Sequence, residues 1–139
     1  MCIFSIFIGN SIPLENESID LAFHLFAPFN EKEFSRAIKK GGIIITVVSG
    51  ENHLFELKEI LYDTPYKNDE APPETTTLLL KEKRTFSKKV MLQSKEDIDA
   101  LFKMTPYYYH TSDTDKAKLE AYEALEVTTE FAAYVYTVI

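Results

Sequence analysis

Three histidines, an aromatic run and one polar loop carry the residues whose chemistry could matter. His53 follows Ser49-Gly50 and opens an amphipathic segment, so it stands at a helix N-terminus. There it can hydrogen-bond a substrate or act as a general base, or it can simply cap the helix at the surface. His24 lies inside an apolar run. A buried, hydrogen-bonded imidazole fits that setting, although a side chain of ordinary pKa ~6.5 can also switch charge. Met104-Thr-Pro-Tyr107, with Tyr108 and Tyr109, is an aromatic cluster that either packs beneath the last helix or stacks on an unpaired base. No Ser/His/Asp set, no carboxylate pair and no metal-ligand spacing stands out. His24, His53 and His110 are far apart and form no ligand motif, and Asp20 merely precedes a strand.

The elements that must position these groups begin at residues 19 to 50. Leu21 to Phe26 is a mostly apolar run closed by Ala27-Pro28, which fits a strand covered on both faces. Asn30 with Glu33 spells a helix start, and Phe34, Ala37 and Ile38 give that helix one apolar face. Lys39 and Lys40 suit the helix C-terminus, and Gly41 supplies a left-handed stop. Ile43 to Val48 is a second buried strand. The unit is strand–helix–strand, and ligands of open parallel sheets bind outside the carboxyl ends of the strands. Attention therefore falls on His24 to Pro28 and on Ser49 to His53.

Met1 to Ile8 is a further β-type run. His53 to Tyr62 reads as a helix with Leu54, Leu57, Ile60 and Leu61 inward. A loop with Pro65, Pro72 and Pro73 follows. Thr75–Leu80 and Thr85–Leu92 read as two strands separated by the charged Lys81–Arg84. Ser94 and Asp97 cap a helix carrying Ile98, Leu101 and Phe102, which Pro106 limits. Asp113 or Thr114 opens a last helix running to about Leu125, with Leu119, Tyr122 and Leu125 inward. Thr129 to Val138 alternates as a terminal strand.

The chain has 139 residues, 45% of them hydrophobic, enough for one modest domain. A net charge of −7 and a pI near 5.0 argue against broad nucleic-acid binding. The one basic concentration, Lys81, Lys83, Arg84, Lys88 and Lys89, reads first as a solvated strand face. A single cysteine, Cys2, allows neither a disulfide framework nor a zinc cluster. It suggests a reducing compartment, and the short apolar start is neither a signal peptide nor a membrane span. The expectation is a cytoplasmic protein, with no membrane segment and no metal.

Asp20-Leu-Ala-Phe-His-Leu-Phe-Ala-Pro28, followed by Glu33-Phe-Ser-Arg-Ala-Ile-Lys-Lys-Gly-Gly42, resembles motifs IV to V of class I S-adenosylmethionine-dependent methyltransferases. The run Val48 to Tyr62, VSGENHLFELKEILY, and the downstream Met104-Thr-Pro-Tyr107 are similar to signatures of the 23S rRNA (guanine-N1)-methyltransferases. The resemblance runs from about Asn10 onward. It implies an α/β, partial Rossmann-like class I methyltransferase fold, with a mixed sheet lacking the first two strands. It places Asn10, Ser11, Ile12, His24 and Leu25 along the S-adenosylmethionine site and Ala27, Pro28, Tyr107 and Tyr108 along the substrate base. It makes His53 the candidate base toward guanine N1.

The same resemblance exposes a gap. A class I enzyme needs a glycine-rich turn for the methionine part of the cofactor and an acid for its ribose. Gly9, Gly41, Gly42 and Gly50 form no such turn, and the family's four-cysteine zinc module is missing from these residues. Residues 1–139 are thus expected to be a single truncated methyltransferase-like domain: a short gene, a remnant or one part of something longer. The cofactor would be S-adenosylmethionine, but this chain lacks most of its clamp. Ribosomal RNA is the implied partner. Open strand edges add an expected homodimer or strand-exchanged oligomer, so a non-catalytic, dimeric interaction module is the competing expectation.

Overall fold

The computed structural model describes residues 11–139. The expected strand at Met1–Ile8, Cys2 and the cofactor candidate Asn10 lie outside them. The order of elements is β1 (Ile19–Leu25), α1 (Glu31–Ala37), β2 (Ile38–Ser49), α2 (Phe55–Leu61), β3 (Leu78–Leu92), α3 (Lys95–Lys103), α4 (Asp113–Ala117) and β4 (Leu125–Val138). Short 3₁₀ turns occupy Pro106–Tyr109 and Lys118–Ala121.

The four strands form one sheet in the order β1-β2-β4-β3. β1 and β2 are parallel, with Leu21 opposite Ile43, Phe23 opposite Ile45 and His24 opposite Thr46. β4 runs antiparallel to β2, because the Thr137 hydroxyl donates to the Gly42 carbonyl while the Gly50 N–H donates to the Glu130 carbonyl. β3 runs antiparallel to β4, as Ile139 meets Thr77 and Thr129 meets Lys88. The fold is therefore α/β with a mixed sheet, as expected.

The chain divides into two compact units. The first holds the described residues up to Val48, with Ala71–Arg84 and Ala132–Ile139. Its core is Ile38, Ile44, Leu78, Ala132, Tyr134, Tyr136 and Val138, with Phe29 and Phe34 packed on it. α1 begins where Asn30 and Glu33 predict, with the Asn30 side chain accepting from the Glu33 N–H at 3.2 Å. Its end differs from expectation. Gly41 has φ +77, yet it lies inside β2 rather than past the helix. Ile38 is already extended and pairs with Ile19, and the next pair is Leu21 with Ile43. Two steps on β1 are matched by five on β2, and the glycine absorbs the excursion.

β1 also departs from the expected double coverage. Register puts Leu21, Phe23 and Leu25 on the face opposite α1, and they are 47, 66 and 55% exposed. Ala22 and His24 face the core, where Phe29 and Phe34 cover them.

The second unit holds Ser49–Glu70 and Thr85–Phe131. Leu54, Leu57, Leu61, Ile98, Phe102, Leu119 and Val127 form its core. α2 is shorter than the expected 53–62 because Leu54 takes φ +52 and blocks the first turn. α3 starts as predicted, with Ser94 Oγ accepting from the Asp97 N–H at 3.1 Å. The last helix does not reach Leu125. It is capped by Ser112, ends at Ala117 and leaves Tyr122 exposed, because residues from Leu125 onward are drawn into β4.

β3 corrects another expectation: Lys81–Arg84 do not break it, and it is one strand of 15 residues. It ends the sheet order and is exposed along most of its length, so charged side chains reach water without leaving the ladder. Among the described residues no helix is long and apolar enough to cross a membrane, and no cluster of His, Cys, Asp or Glu could hold a metal ion.

Candidate functional site

In the second unit, the chain leaves β2 through Gly50-Glu51-Asn52-His53-Leu54. This loop is fastened on several sides. The Gly50 N–H donates to the Glu130 carbonyl at 2.7 Å, and a Cβ at Gly50 would run into the Glu130 side chain. The Glu130 carboxylate accepts from the Asn52 N–H at 2.9 Å. Asn68 donates from Nδ2 to the carbonyls of Gly50 and His53. Leu54 is buried with its backbone in the left-handed region, which a branched residue occupies only when its surroundings enforce it. Its N–H donates to the Thr128 carbonyl at 2.7 Å. Glu56 closes the clasp by accepting from the Thr128 N–H and hydroxyl.

His53 sits at the centre. Its Nδ1 accepts the Glu130 N–H at 3.1 Å, and its ring lies 4.8 Å from that of Phe131. A main-chain N–H can only donate, so Nδ1 is bare and the neutral ring carries its proton on Nε2. Among the described residues Nε2 has no hydrogen-bond partner. Burial holds the ring below its ordinary pKa of 6.5, which keeps it neutral near pH 7. The available group is therefore an N–H donor, not a basic lone pair.

Behind the loop Lys58 is 1% exposed. Its Nζ donates to Asn68 Oδ1 at 2.7 Å and to the Tyr66 carbonyl at 3.1 Å, and sits 4.1 Å from the Tyr66 ring centre. It holds Asn68 in place. Tyr107 packs on the same core, its hydroxyl buried without a hydrogen bond and pushed up to about 12 by that burial. Tyr108 lines a cavity of about 450 Å³ between α3 and α4, and Lys116 Nζ lies 4.5 Å from its ring centre.

The remaining candidates are in the first unit. His24 is buried, with Nδ1 2.5 Å from Thr46 Oγ1 and Nε2 3.2 Å from the Pro28 carbonyl. Pro28 can only accept, so Nε2 donates to it and the threonine hydroxyl donates to Nδ1. Both nitrogens are thus spent inside the protein, and burial lowers the pKa of this ring as well. The Ile12 N–H donates to Glu33, and its carbonyl accepts from Arg36. Ser11, Leu25, Ala27 and Pro28 are exposed. Phe26 has φ +49, so the chain turns sharply at the carboxyl end of β1, as it does at Leu54 after β2. The structure brings His24, Leu25, Ala27 and Pro28 to one strand end, and ties Ile12 to α1. His53 belongs to the other unit, as do Tyr107 and Tyr108.

Sequence reasoning did not single out Glu130, Asn68, Lys58 or Thr46. The first three organise the loop from up to 77 residues away in the chain, and no local pattern marks them.

These features describe an α/β chain with a mixed four-stranded sheet. No family model matches it. It is 27% identical over 122 residues to a Bacillus subtilis (strain 168) protein provisionally named 23S rRNA (guanine-N(1)-)-methyltransferase YxjB. That match covers 85% of this chain and 43% of the relative, so the chain spans less than half of the relative's length. It is also similar, at TM-score 0.46 and 11% identity, to a protein from Bacillus halodurans C-125 provisionally named a methyltransferase (BH2331), over 92% of this chain and 73% of that one. The sequence match carries the resemblance read from Asn10 onward over most of the chain.

Proposed function

We propose that the chain is the base-facing part of an S-adenosylmethionine-dependent 23S rRNA (guanine-N1)-methyltransferase, and that the loop Gly50–Leu54 receives the edge of the guanine. The observation that supports this most directly is the fixed Nε2–H of His53 at the carboxyl end of β2. A neutral guanine N1 bears a proton and is a poor nucleophile. A donor aimed at the O6 acceptor stabilises the negative charge that gathers there as the N1 proton leaves. His53 serves in this reading as the donor to O6, and the N1 proton is released to solvent. Both tyrosines pack on the core, but Tyr108 also lines the cavity whereas the Tyr107 hydroxyl is buried, so Tyr108 is the better placed of the two to meet a nucleotide.

S-adenosylmethionine, when bound, supplies an electrophilic methyl group. The described candidates do not make its pocket: the polar groups of Ile12 and His24 are used internally, and Ser11 and Leu25 are open to solvent. The chain's acidic balance fits weak RNA affinity that depends on base contacts more than on phosphates.

The test is binding of an RNA hairpin with an unpaired guanine against the same hairpin with adenine. Wild type should prefer guanine. His53→Ala should lose about fivefold to tenfold of that preference, the worth of one neutral hydrogen bond, and His53→Gln should keep part of it. Equal binding of both hairpins sinks the reading.

A second reading, a self-associating module, is favoured by the apolar face of β1 and β2. Leu21, Phe23, Leu25, Phe26 and Ile43 are all exposed there. Sedimentation equilibrium at high micromolar concentration decides it, and a monomer throughout rules it out.

A further inference from the structure

Neighbouring antiparallel strands close by narrow pairs, in which two residues exchange both N–H···O=C bonds. At the end of β2 only half of such a pair is made by main chain. The Gly50 N–H donates to the Glu130 carbonyl at 2.7 Å. The return bond, from the Glu130 N–H, ends at 3.1 Å on His53 Nδ1. An imidazole nitrogen stands where a carbonyl would, and it does so only while unprotonated.

The side chain of the same residue completes the arrangement. Its Oε1 accepts from the Asn52 N–H at 2.9 Å and from Asn52 Nδ2 at 3.3 Å. One residue of β4 therefore grips the loop at Gly50, at Asn52 and at the ring of His53. The absence of a side chain at Gly50 is what lets Glu130 come this close. Asn68 and Glu70 also hold the loop, through the carbonyls of Gly50 and His53 and the N–H of Glu51, but they bond its main chain and not the imidazole.

We propose that Glu130 is the positioning residue of this site, selecting the Nε2–H form of His53 and aiming that proton outward. The proposal rests on reading the loop as guanine-facing. Glu130 itself touches no reacting atom. Its main chain chooses the tautomer, and its carboxylate fixes the loop so that the choice is kept.

The experiment is long-range proton–nitrogen correlation NMR of the imidazoles in the full chain. It distinguishes a bare Nδ1 from a protonated one. Wild type should show His53 in one tautomer, with the proton on Nε2. Glu130→Gln, whose amide oxygen can still accept from Asn52, should keep that signature. Glu130→Ala should release Asn52 and give a mixture of tautomers, with the guanine preference falling part of the way toward that of His53→Ala. Should Glu130→Ala fail to fold, Glu130→Asp carries the same readout, because its carboxylate is one methylene short of Asn52.

A wild-type ring protonated on Nδ1 overturns the proposal. So does a Glu130→Ala chain that loses stability while its His53 keeps the wild-type signature, since the clamp would then be structural alone. A mixed tautomer with unchanged guanine preference overturns it too. The stated tautomer pattern in a wild-type chain that has no guanine preference overturns the guanine reading instead, and leaves the control of His53 by Glu130 standing.

Discussion

His24 and His53 are both kept neutral by burial, and this couples the fold to pH. Each has a folded pKa below its ordinary 6.5. Below pH 6.5 the unfolded chain therefore binds more protons than the folded one, and stability falls as pH drops through that value. Glu33 acts in a lower window. Hydrogen bonds from Arg36 and the Ile12 N–H hold its carboxyl at about 2 against an ordinary 4.5, so its contribution is complete above 4.5 and lost as pH falls toward 2. Urea denaturation across this range should show two separate declines. His24→Gln should reduce the upper one and leave the lower one unchanged. A single decline confined to pH below 4.5 contradicts the account of the histidines. At this scale the sequence exposed His24 and His53, because a histidine in an apolar run and one at a helix start are locally conspicuous. It concealed their partners: Thr46 is 22 residues from His24 and Glu130 is 77 from His53.

Elements whose ends depend on neighbours in sequence were legible, and those decided by distant pairing were not. Asn30 with Glu33, and Ser94 with Asp97, marked α1 and α3 correctly, since an N-cap needs only the next three residues. Local signals failed where the sheet overrode them. Gly41 and two lysines wrote a helix stop, yet Ile38 was already paired to Ile19. Lys81–Arg84 wrote a break, yet β4 holds β3 as one strand. α2 was found by its spacing, and Leu57 and Leu61 are fully buried as that spacing required. Truncating Leu57 to alanine should cost about 2–5 kcal/mol, the usual penalty for a cavity at a buried leucine. Chemical denaturation checks it. A loss well under 1 kcal/mol would mean that the core of the second unit collapses around the gap.

For the whole molecule, the α/β class was legible because strand, helix and strand follow one another within residues 19–50, and the methyltransferase likeness because the runs Asp20–Pro28, Val48–Tyr62 and Met104–Tyr107 resemble signatures of that family. The exposed side of β1 was not, because an apolar run reads the same whether one face is covered or two. That face sets an expectation for solution behaviour. Phe23 stands at its centre, between Leu21 and Leu25 and opposite Ile45. If the face is an interface between copies, Phe23→Asp should shift a wild-type dimer to monomer in sedimentation equilibrium, because a carboxylate cannot be buried there without a partner. An unchanged dimer would place the contact elsewhere. Charge does not oppose folding of the variant, since position 23 is 66% exposed.

The place of β4 in the sheet order also has a consequence in time. Ala132, Tyr134, Tyr136 and Val138 are four of the seven residues of the first unit's buried core, and Thr137 reaches back 95 residues to Gly42. A chain emerging from the ribosome must therefore carry β1, α1 and β2 through the synthesis of some eighty further residues before the strand that shields them exists. Contacts of such long range make folding slow. During that interval Ile44 has Phe29 and Phe34 beside it but not Ala132, Tyr134 and Tyr136, and the apolar surface those residues later cover stays open to non-native association.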